Sequence, residues 1–270
     1  MIAHALLATW LLATWACVGG MAWTAVHSLT GGAWGDELGT SLRGQGRWLP
    51  IVAMLGLPLL FAAAHVFPWI ASAPEPSRQW YLNYPALAYR TLGCFVAWAI
   101  GRWLLPRAPA VTLIVWLFAN GVFANDWIVS LTPAWRSSDI GLVAAVGQLS
   151  VAMAVAAFVL SREPDDARTR SLRGDAAGLL MALGLGWAYL AGVDYLTAWM
   201  ADRPYETVWY LPRTEGVWAA VALAAVFFHL IVPFCLLLPE SLRSHRIALR
   251  TAGASMLLGE ACHLAWMVLP

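Results

Sequence analysis

Seven ionisable side chains stand in stretches otherwise built of Ala, Leu, Val, Phe and Trp: His65, Arg90, Asp126, Asp194, His229, Glu260 and His263. Groups of this kind, withdrawn from water, have two uses. They neutralise one another and lock neighbouring segments together, or they pass protons, since an imidazole titrates near neutral pH and burial draws a carboxyl towards the same range. Asp126, Asp194 and Glu260 are the candidate proton exchangers, with His65 and His263 as their imidazole partners; Arg90 is the candidate counter-ion of Asp126 or Asp194. His229, in Phe228-His229-Leu230, is the deepest of the histidines. A b-type haem needs two histidines facing each other at one depth, and His4, His27, His65, His245 and His263 offer His229 no such partner. It is therefore read as a packing residue or a relay member, with the choice left open. Cys17, Cys94, Cys235 and Cys262 form no C-x-x-C pair and are read as small buried hydrophobes, so no haem or iron–sulfur centre is expected in this chain.

The elements that must hold these residues are membrane helices. Hydrophobic residues make up 61% of the chain and charged ones 11%, far from the balance of a soluble domain. The net charge is +1, Lys is absent, and no basic arm or stripe suits nucleic acid. At roughly 20 apolar residues per crossing, about eight spans are expected: 2–29, 48–70, 84–105, 109–131, 140–161, 175–200, 215–238 and 246–268. Met1 to Trp23 lacks a positive leading segment and is read as the first span rather than a cleaved signal. Gly31-Gly32, Pro74, Pro106, Pro133, Pro164, Pro204 and Pro239 fall between spans, and the short connections predict antiparallel neighbours in one all-α bundle.

Orientation follows from arginine. Arg43, Arg47, Arg102, Arg107, Arg162, Arg168, Arg170, Arg173, Arg243, Arg246 and Arg250 fall on one side, and only Arg78, Arg136, Arg203 and Arg213 on the other. Basic residues stay on the cytoplasmic side, so both termini are expected outside. Trp69, Trp80, Trp127, Trp135, Trp199 and Trp209 cluster near that outer end and are expected to form an interfacial aromatic belt. Counted along their helices, His65, Asp126, Asp194 and His263 lie roughly 8 Å below the outer boundary at about 1.5 Å per residue. Arg90 reaches a similar depth and Glu260 sits one turn deeper. One layer of groups facing one another is expected, either a neutralised structural network or a proton half-channel opening outward.

Several stretches together carry a resemblance: His27-Ser28-Leu29-Thr30-Gly31-Gly32-Ala33-Trp34-Gly35; Leu57-Pro58-Leu59-Leu60-Phe61 with His65 and Phe67-Pro68-Trp69; Tyr81-Leu82-Asn83-Tyr84-Pro85 through Arg90; Asp126-Trp127-Ile128-Val129-Ser130-Leu131; Trp187-Ala188-Tyr189-Leu190; Glu206 with Trp209-Tyr210-Leu211 and Arg213; and His229 with Pro233-Phe234. In order and spacing the chain resembles the ActF-type membrane subunit of alternative complex III, the quinol:cytochrome c oxidoreductase, within the wider NrfD- and PsrC-like proteins. The resemblance implies a pair of four-helix bundles in the bacterial inner membrane. It implies as partners a related NrfD-like membrane subunit, an iron–sulfur subunit and a cytochrome c subunit, besides membrane lipid. Haem and iron–sulfur centres would belong to those partners, and the subunit itself would bind no cofactor beyond contact with quinone. Its proton path would fall on Asp126 and His229, with Arg90 and His65 at matching polar positions.

The chain also departs from that pattern. The family has one helix before and one after the matched stretch, so the sequence reads as a trimmed core. Ser28, Thr132, Ala134 and Tyr205 stand where the family has polar or acidic residues, Asp194 where Gln is common, and His263 where Asp is common. The leading expectation is a non-redox subunit contributing proton translocation, quinone contact or both. A docking subunit that no longer conducts protons and a stand-alone transporter are the alternatives. Tyr189, Tyr195 and Trp199 are read as packing or interface residues rather than quinone ligands.

Overall fold

Two glycines set the first reversal of the chain. Helix α1 (Ile2–Thr30) ends where Gly31 and Gly32 take φ of 68° and 102°, a conformation open to residues without a Cβ, and the Gly31 N–H closes the last turn on the His27 carbonyl at 2.8 Å. The computed structural model describes residues 2–72, 74–202 and 204–269, with the backbone alone at Asp36, Tyr205 and Glu206. Arg203 and the side chains of Tyr205 and Glu206, which entered the readings above, therefore lie outside the described residues. Within them every regular element is helical, with no β-strand.

Among the described residues five stretches are long and apolar enough to cross a membrane: Ile2–Thr30, Pro109–Leu131, Ile140–Leu160, Ala167–Ala201 and Gly216–Leu237. The protein is thus an all-α, multi-pass membrane protein. Two more expected spans are single helices whose charges, rather than their length, set them apart: α7 (Tyr84–Leu104), with Arg90 and Arg102, and α15 (Arg246–Val268), with Arg246, Arg250 and Glu260. Asn83 caps α7 by accepting from the Ala86 N–H at 2.9 Å, and Pro85 occupies its first turn, where a missing N–H is harmless.

The expected second span, 48–70, is not one helix. It is divided into α3 (Leu49–Leu55), α4 (Leu57–Phe61), α5 (Ala63–Val66) and α6 (Pro68–Ala71). Pro58 and Pro68 supply no N–H to the preceding turns. The break at Gly56 has a second cause. The Trp10 indole N–H donates to the Val52 carbonyl at 2.7 Å, taking the acceptor that the Gly56 N–H would have used, and Gly56 bonds to Ala53 instead. A side chain at position 56 would collide with that indole. The segment 31–47, expected as a connection, contains helix α2 (Ala33–Gly46), which folds back along α1. Together α2 to α5 run antiparallel to α1: Gly35 lies against His27, Gly46 near Cys17, and Gly56 against Trp10.

Helices α1 and α9 (Ile140–Leu160) form the centre of the bundle, touching each other and also α2, α8 (Pro109–Trp127) and α15. Gly19 permits their close approach, since a Cβ there would lie 2.0 Å from the Gln148 carbonyl oxygen. Helix α10 (Ala167–Ala201) has 35 residues, about 52 Å at 1.5 Å per residue, so one end must pass beyond a hydrocarbon layer about 30 Å thick. Its first turns carry Arg168, Arg170 and Arg173. Arg168 pairs with Glu37 of α2 at 2.7 Å, and buried Arg173 with Asp165 at 2.6 Å.

The aromatic belt needs correction. Trp80 and Trp199 are exposed, but Trp69, Trp127, Trp135 and Trp209 are buried. Trp127 packs edge-on to Trp10 and gives its N–H to Thr91 at 3.0 Å; Trp135 and Trp209 stack 3.9 Å apart. Large rings near a membrane boundary fill core as readily as they anchor in lipid headgroups. The cysteines divide likewise, Cys17 and Cys94 being buried, Cys262 half-buried and Cys235 exposed.

Candidate functional site

The ionisable residues do not form one layer. They occupy three separate clusters, and His65 lies in none of them: on short helix α5 its side chain is exposed, and among the described residues no hydrogen bond or ion pair reaches it. The break in the second span turns that imidazole away from the bundle, so depth counted along a continuous helix misplaced it.

Arg90 and Asp126 form the first cluster. The guanidinium meets the carboxylate in a fork, Nε at 2.9 Å from Oδ2 and Nη2 at 3.0 Å from Oδ1, which resolves the choice of partner in favour of Asp126 over Asp194. Arg90 also lies over the Tyr81 ring, its Cζ 3.7 Å from the centroid, and the Tyr81 hydroxyl accepts from Asn125 at 2.8 Å. Asp126 is 1% exposed and Arg90 21%. A charge pair with forked geometry and an aromatic lid ties α7 to α8 and is the arrangement expected of a structural contact.

Asp194 belongs to a second cluster at the same end. Ser137 Oγ lies 2.9 Å from Asp194 Oδ1 and 2.8 Å from Asp139 Oδ1, and the Tyr210 hydroxyl donates to Asp194 Oδ2. One serine hydroxyl has one proton for two carboxyl oxygens. A cavity of about 320 Å³, lined by Tyr81, Asn125, Arg136 and Ser137 among others, opens between this group and the Arg90–Asp126 pair.

The third cluster is the most deeply enclosed. Glu260 and His229 are 0% exposed and His263 4%. His229 Nδ1 lies 2.9 Å from Glu260 Oε2, at ion-pair distance but not aligned for a hydrogen bond, and His263 Nδ1 lies 3.4 Å from Oε1. The depth reading set His229 apart from the others; packing joins it to Glu260. Trp187 organises the histidines: its ring stacks on His229 at 4.4 Å and 10°, and its N–H donates to His263 Nδ1 at 3.1 Å. An indole N–H only donates, so His263 Nδ1 holds a lone pair and the ring proton of a neutral His263 sits on Nε2. Glu260 therefore faces an acceptor on the His263 side. The proton that neutralises this cluster belongs to the Glu260 carboxyl or to His229, across a gap of 2.9 Å.

The local fold explains why His229 points there. Phe227–Ile231 is a π-helical turn between α12 (Gly216–Val226) and α13 (Val232–Leu237), a widening that re-aims one side chain into the bundle. In that register the Phe228 carbonyl would accept from residue 233, and Pro233 has no N–H. Ser255 Oγ of α15 donates to it instead, at 2.8 Å. Gly259 and Gly147 make room: a Cβ at 259 would lie 2.3 Å from the His229 nitrogen, and one at 147 would meet both Trp15 and Glu260 Oε1. Along the outer side of the π turn runs an apolar groove lined by Leu223, Ala224, Val226, Phe227, Phe228 and Ile231, about 510 Å³.

Sequence reasoning gave Trp187, Ser255 and the pair Ser137–Asp139 no polar role. Trp187 lies seven residues before Asp194 and Ser255 five before Glu260, so only packing between helices brings them to the His229 turn. It also passed over a buried amide chain, in which the Trp116 N–H donates to Gln148 Oε1 at 2.7 Å and Asn120 Nδ2 to the Gly141 carbonyl at 2.6 Å. No family model matches the chain, and no curated protein is significantly similar to it.

Proposed function

We propose that this chain is a non-redox membrane subunit of a respiratory quinol:cytochrome c oxidoreductase of the alternative complex III kind, and that its own contribution is proton transfer through Glu260 and His229. The observation that carries the protonic part is the third cluster, a carboxyl and an imidazole 2.9 Å apart at 0% exposure inside a membrane bundle. Burying such a pair costs several kcal/mol, and the contact distance lets one proton occupy either group without changing the net charge of the site. The π turn that aims His229, with Pro233 and Ser255 behind it, is a local departure of the sort that accompanies working sites.

In this reading the protein lies in the bacterial inner membrane with about eight crossings, two four-helix units and both termini on the periplasmic side. The uneven arginine distribution and the motif order support it. The resemblance puts Asp126 and His229 on one path, but their polar contacts have no residue in common. Asp126 is accordingly assigned to architecture with Arg90, and the proton site to His229, Glu260 and His263. Asp194 remains the candidate group nearest the outer surface. The apolar groove beside the π turn supports contact with a quinone tail and offers no polar atom to hold its ring. A second reading, a docking subunit without conduction, draws its support from the sealed Arg90–Asp126 pair and from the exposed apolar face of α10, where Tyr189, Leu196, Trp199 and Met200 point outward.

Mild solubilisation of native membranes and purification through a tag on this chain tests the assignment. Stoichiometric recovery of a related membrane subunit with cytochrome c and iron–sulfur subunits is the expected result. Recovery of this chain alone, stable and free of redox partners, would overturn it.

A further inference from the structure

Three arginines at the opposite end of the bundle have no role in the scheme above. Arg43 and Arg47, at the end of α2, and Arg102, at the end of α7, line one cavity of about 200 Å³ together with Met21, Thr24, Leu42, Gly46 and Leu105. Among the described residues none of the three guanidinium groups makes a hydrogen bond or an ion pair, in contrast to Arg168 and Arg173, which face carboxylates. The lining contains no Asp or Glu.

The place of this cavity in the membrane follows from helix lengths. Ile2 to Met21 along α1 and Tyr84 to Arg102 along α7 each cover about 28 Å at 1.5 Å per residue, close to the thickness of the hydrocarbon layer. Met21 and Gly101 are neighbours, a Cβ on Gly101 lying 3.9 Å from the Met21 sulfur, so both helices reach the boundary together. Arg102 Nη1 sits 3.1 Å from where a Cβ on Gly46 would be, which draws α2 into the same corner and leaves the guanidinium its space. The cavity thus has apolar walls from Met21, Leu42 and Leu105 on its membrane side and three cations at its mouth.

We infer that Arg43, Arg47 and Arg102 form a binding site for the phosphate headgroup of an anionic phospholipid, seated at the membrane boundary between α1, α2 and α7. Guanidinium forks match phosphate oxygens, and basic pockets between membrane helices at such a boundary select anionic headgroups. The apolar walls suit the glycerol and first acyl carbons of a lipid and offer nothing to a free oxyanion. Occupancy would tie α2 to the end of α7 and stabilise the broken second span that follows it.

Native mass spectrometry of the full chain in detergent, titrated with cardiolipin, phosphatidylglycerol or phosphatidylcholine, tests this. The expected result is retention of the two anionic lipids and not of phosphatidylcholine. Each guanidinium near the surface contributes about fivefold, so replacing all three with Gln weakens anionic-lipid binding roughly a hundredfold. The same charge loss at Arg107, Arg162 and Arg246 leaves it within about twofold. Equal weakening by both triple variants, or equal retention of phosphatidylcholine, would overturn the site. Displacement of the lipid by inorganic phosphate at equal concentration would overturn the lipid assignment. Should the Gln variant fail to fold, the wild-type selectivity among the three lipids decides alone.

Discussion

The Arg90–Asp126 pair and the Glu260–His229–His263 cluster are built from the same materials and are opposite in design. In the first, two carboxylate oxygens meet a rigid fork in aligned hydrogen bonds and an aromatic ring covers the cation. In the second, a carboxyl sits between two imidazoles, one of which approaches without hydrogen-bond alignment while the other presents a lone pair. A forked ion pair with aligned hydrogen bonds holds helices. A carboxyl in contact with two imidazoles, incompletely hydrogen-bonded, offers one proton more than one place to sit. The difference teaches that intramembrane charge alone does not mark function; unfinished hydrogen bonding among titratable groups is the more telling sign.

Breaking the sealed pair should have the largest effect. Asp126→Leu strands Arg90 and is expected to cost about 3–5 kcal/mol, read as a fall in the unfolding midpoint in mixed micelles, while the double variant Arg90→Met with Asp126→Leu recovers most of it. If the single change costs nothing, the pair is not the structural element described. Glu260→Gln keeps the shape of the third cluster and replaces its titratable carboxyl with a neutral amide. It should cost only about 1–2 kcal/mol, so a loss as large as that of Asp126→Leu would erase the contrast between the two sites.

Smaller effects sharpen the picture around His229. Ser255→Ala leaves the Phe228 carbonyl without a donor and is expected to cost about 1 kcal/mol in the same unfolding measurement. Trp187→Phe keeps a ring against His229 but removes the N–H that fixes His263. ¹⁵N spectra should then show Nδ1 of His263 gaining a proton, and an unchanged tautomer would contradict the assignment made from the indole.

The weakest expected effect lies outside the membrane. Asp166 caps α10 by accepting from the Thr169 N–H at 2.7 Å, and that bond holds its carboxyl below the ordinary value of 3.8. A lowered folded value means a stabilisation present above 3.8 and lost as pH falls through the folded value. The midpoint advantage of the wild type over Asp166→Ala should therefore shrink between about pH 6 and about pH 2, and a gap that widens on acidification would contradict it.

Much of this organisation was legible in the sequence, and the places where it was not have physical causes. The long apolar runs that became α1, α8, α9 and α10, and the Asn83 and Pro85 start of α7, follow from hydropathy and capping. The break at Gly56 does not, because it depends on an indole from another helix claiming the Val52 carbonyl. Depth counting found Asp126, Glu260 and His263 but assumed uniform helices, and the π turn and the divided second span each change which way a histidine faces. For the same reason His65 left the site and His229 entered contact with Glu260. Periodicity cannot distinguish a tryptophan that anchors in headgroups from one that fills core, and four of the six assigned to the belt are buried.

The central claim is that Glu260 and His229 transfer protons while Arg90 and Asp126 hold the bundle. Its most direct test is proton release by the intact assembly in sealed vesicles during quinol oxidation, compared between wild type and Glu260→Gln. The account predicts that the variant keeps electron transfer and assembly but loses proton translocation beyond that released by quinol chemistry itself. Unchanged proton yield per electron in a fully assembled Glu260→Gln complex would contradict it.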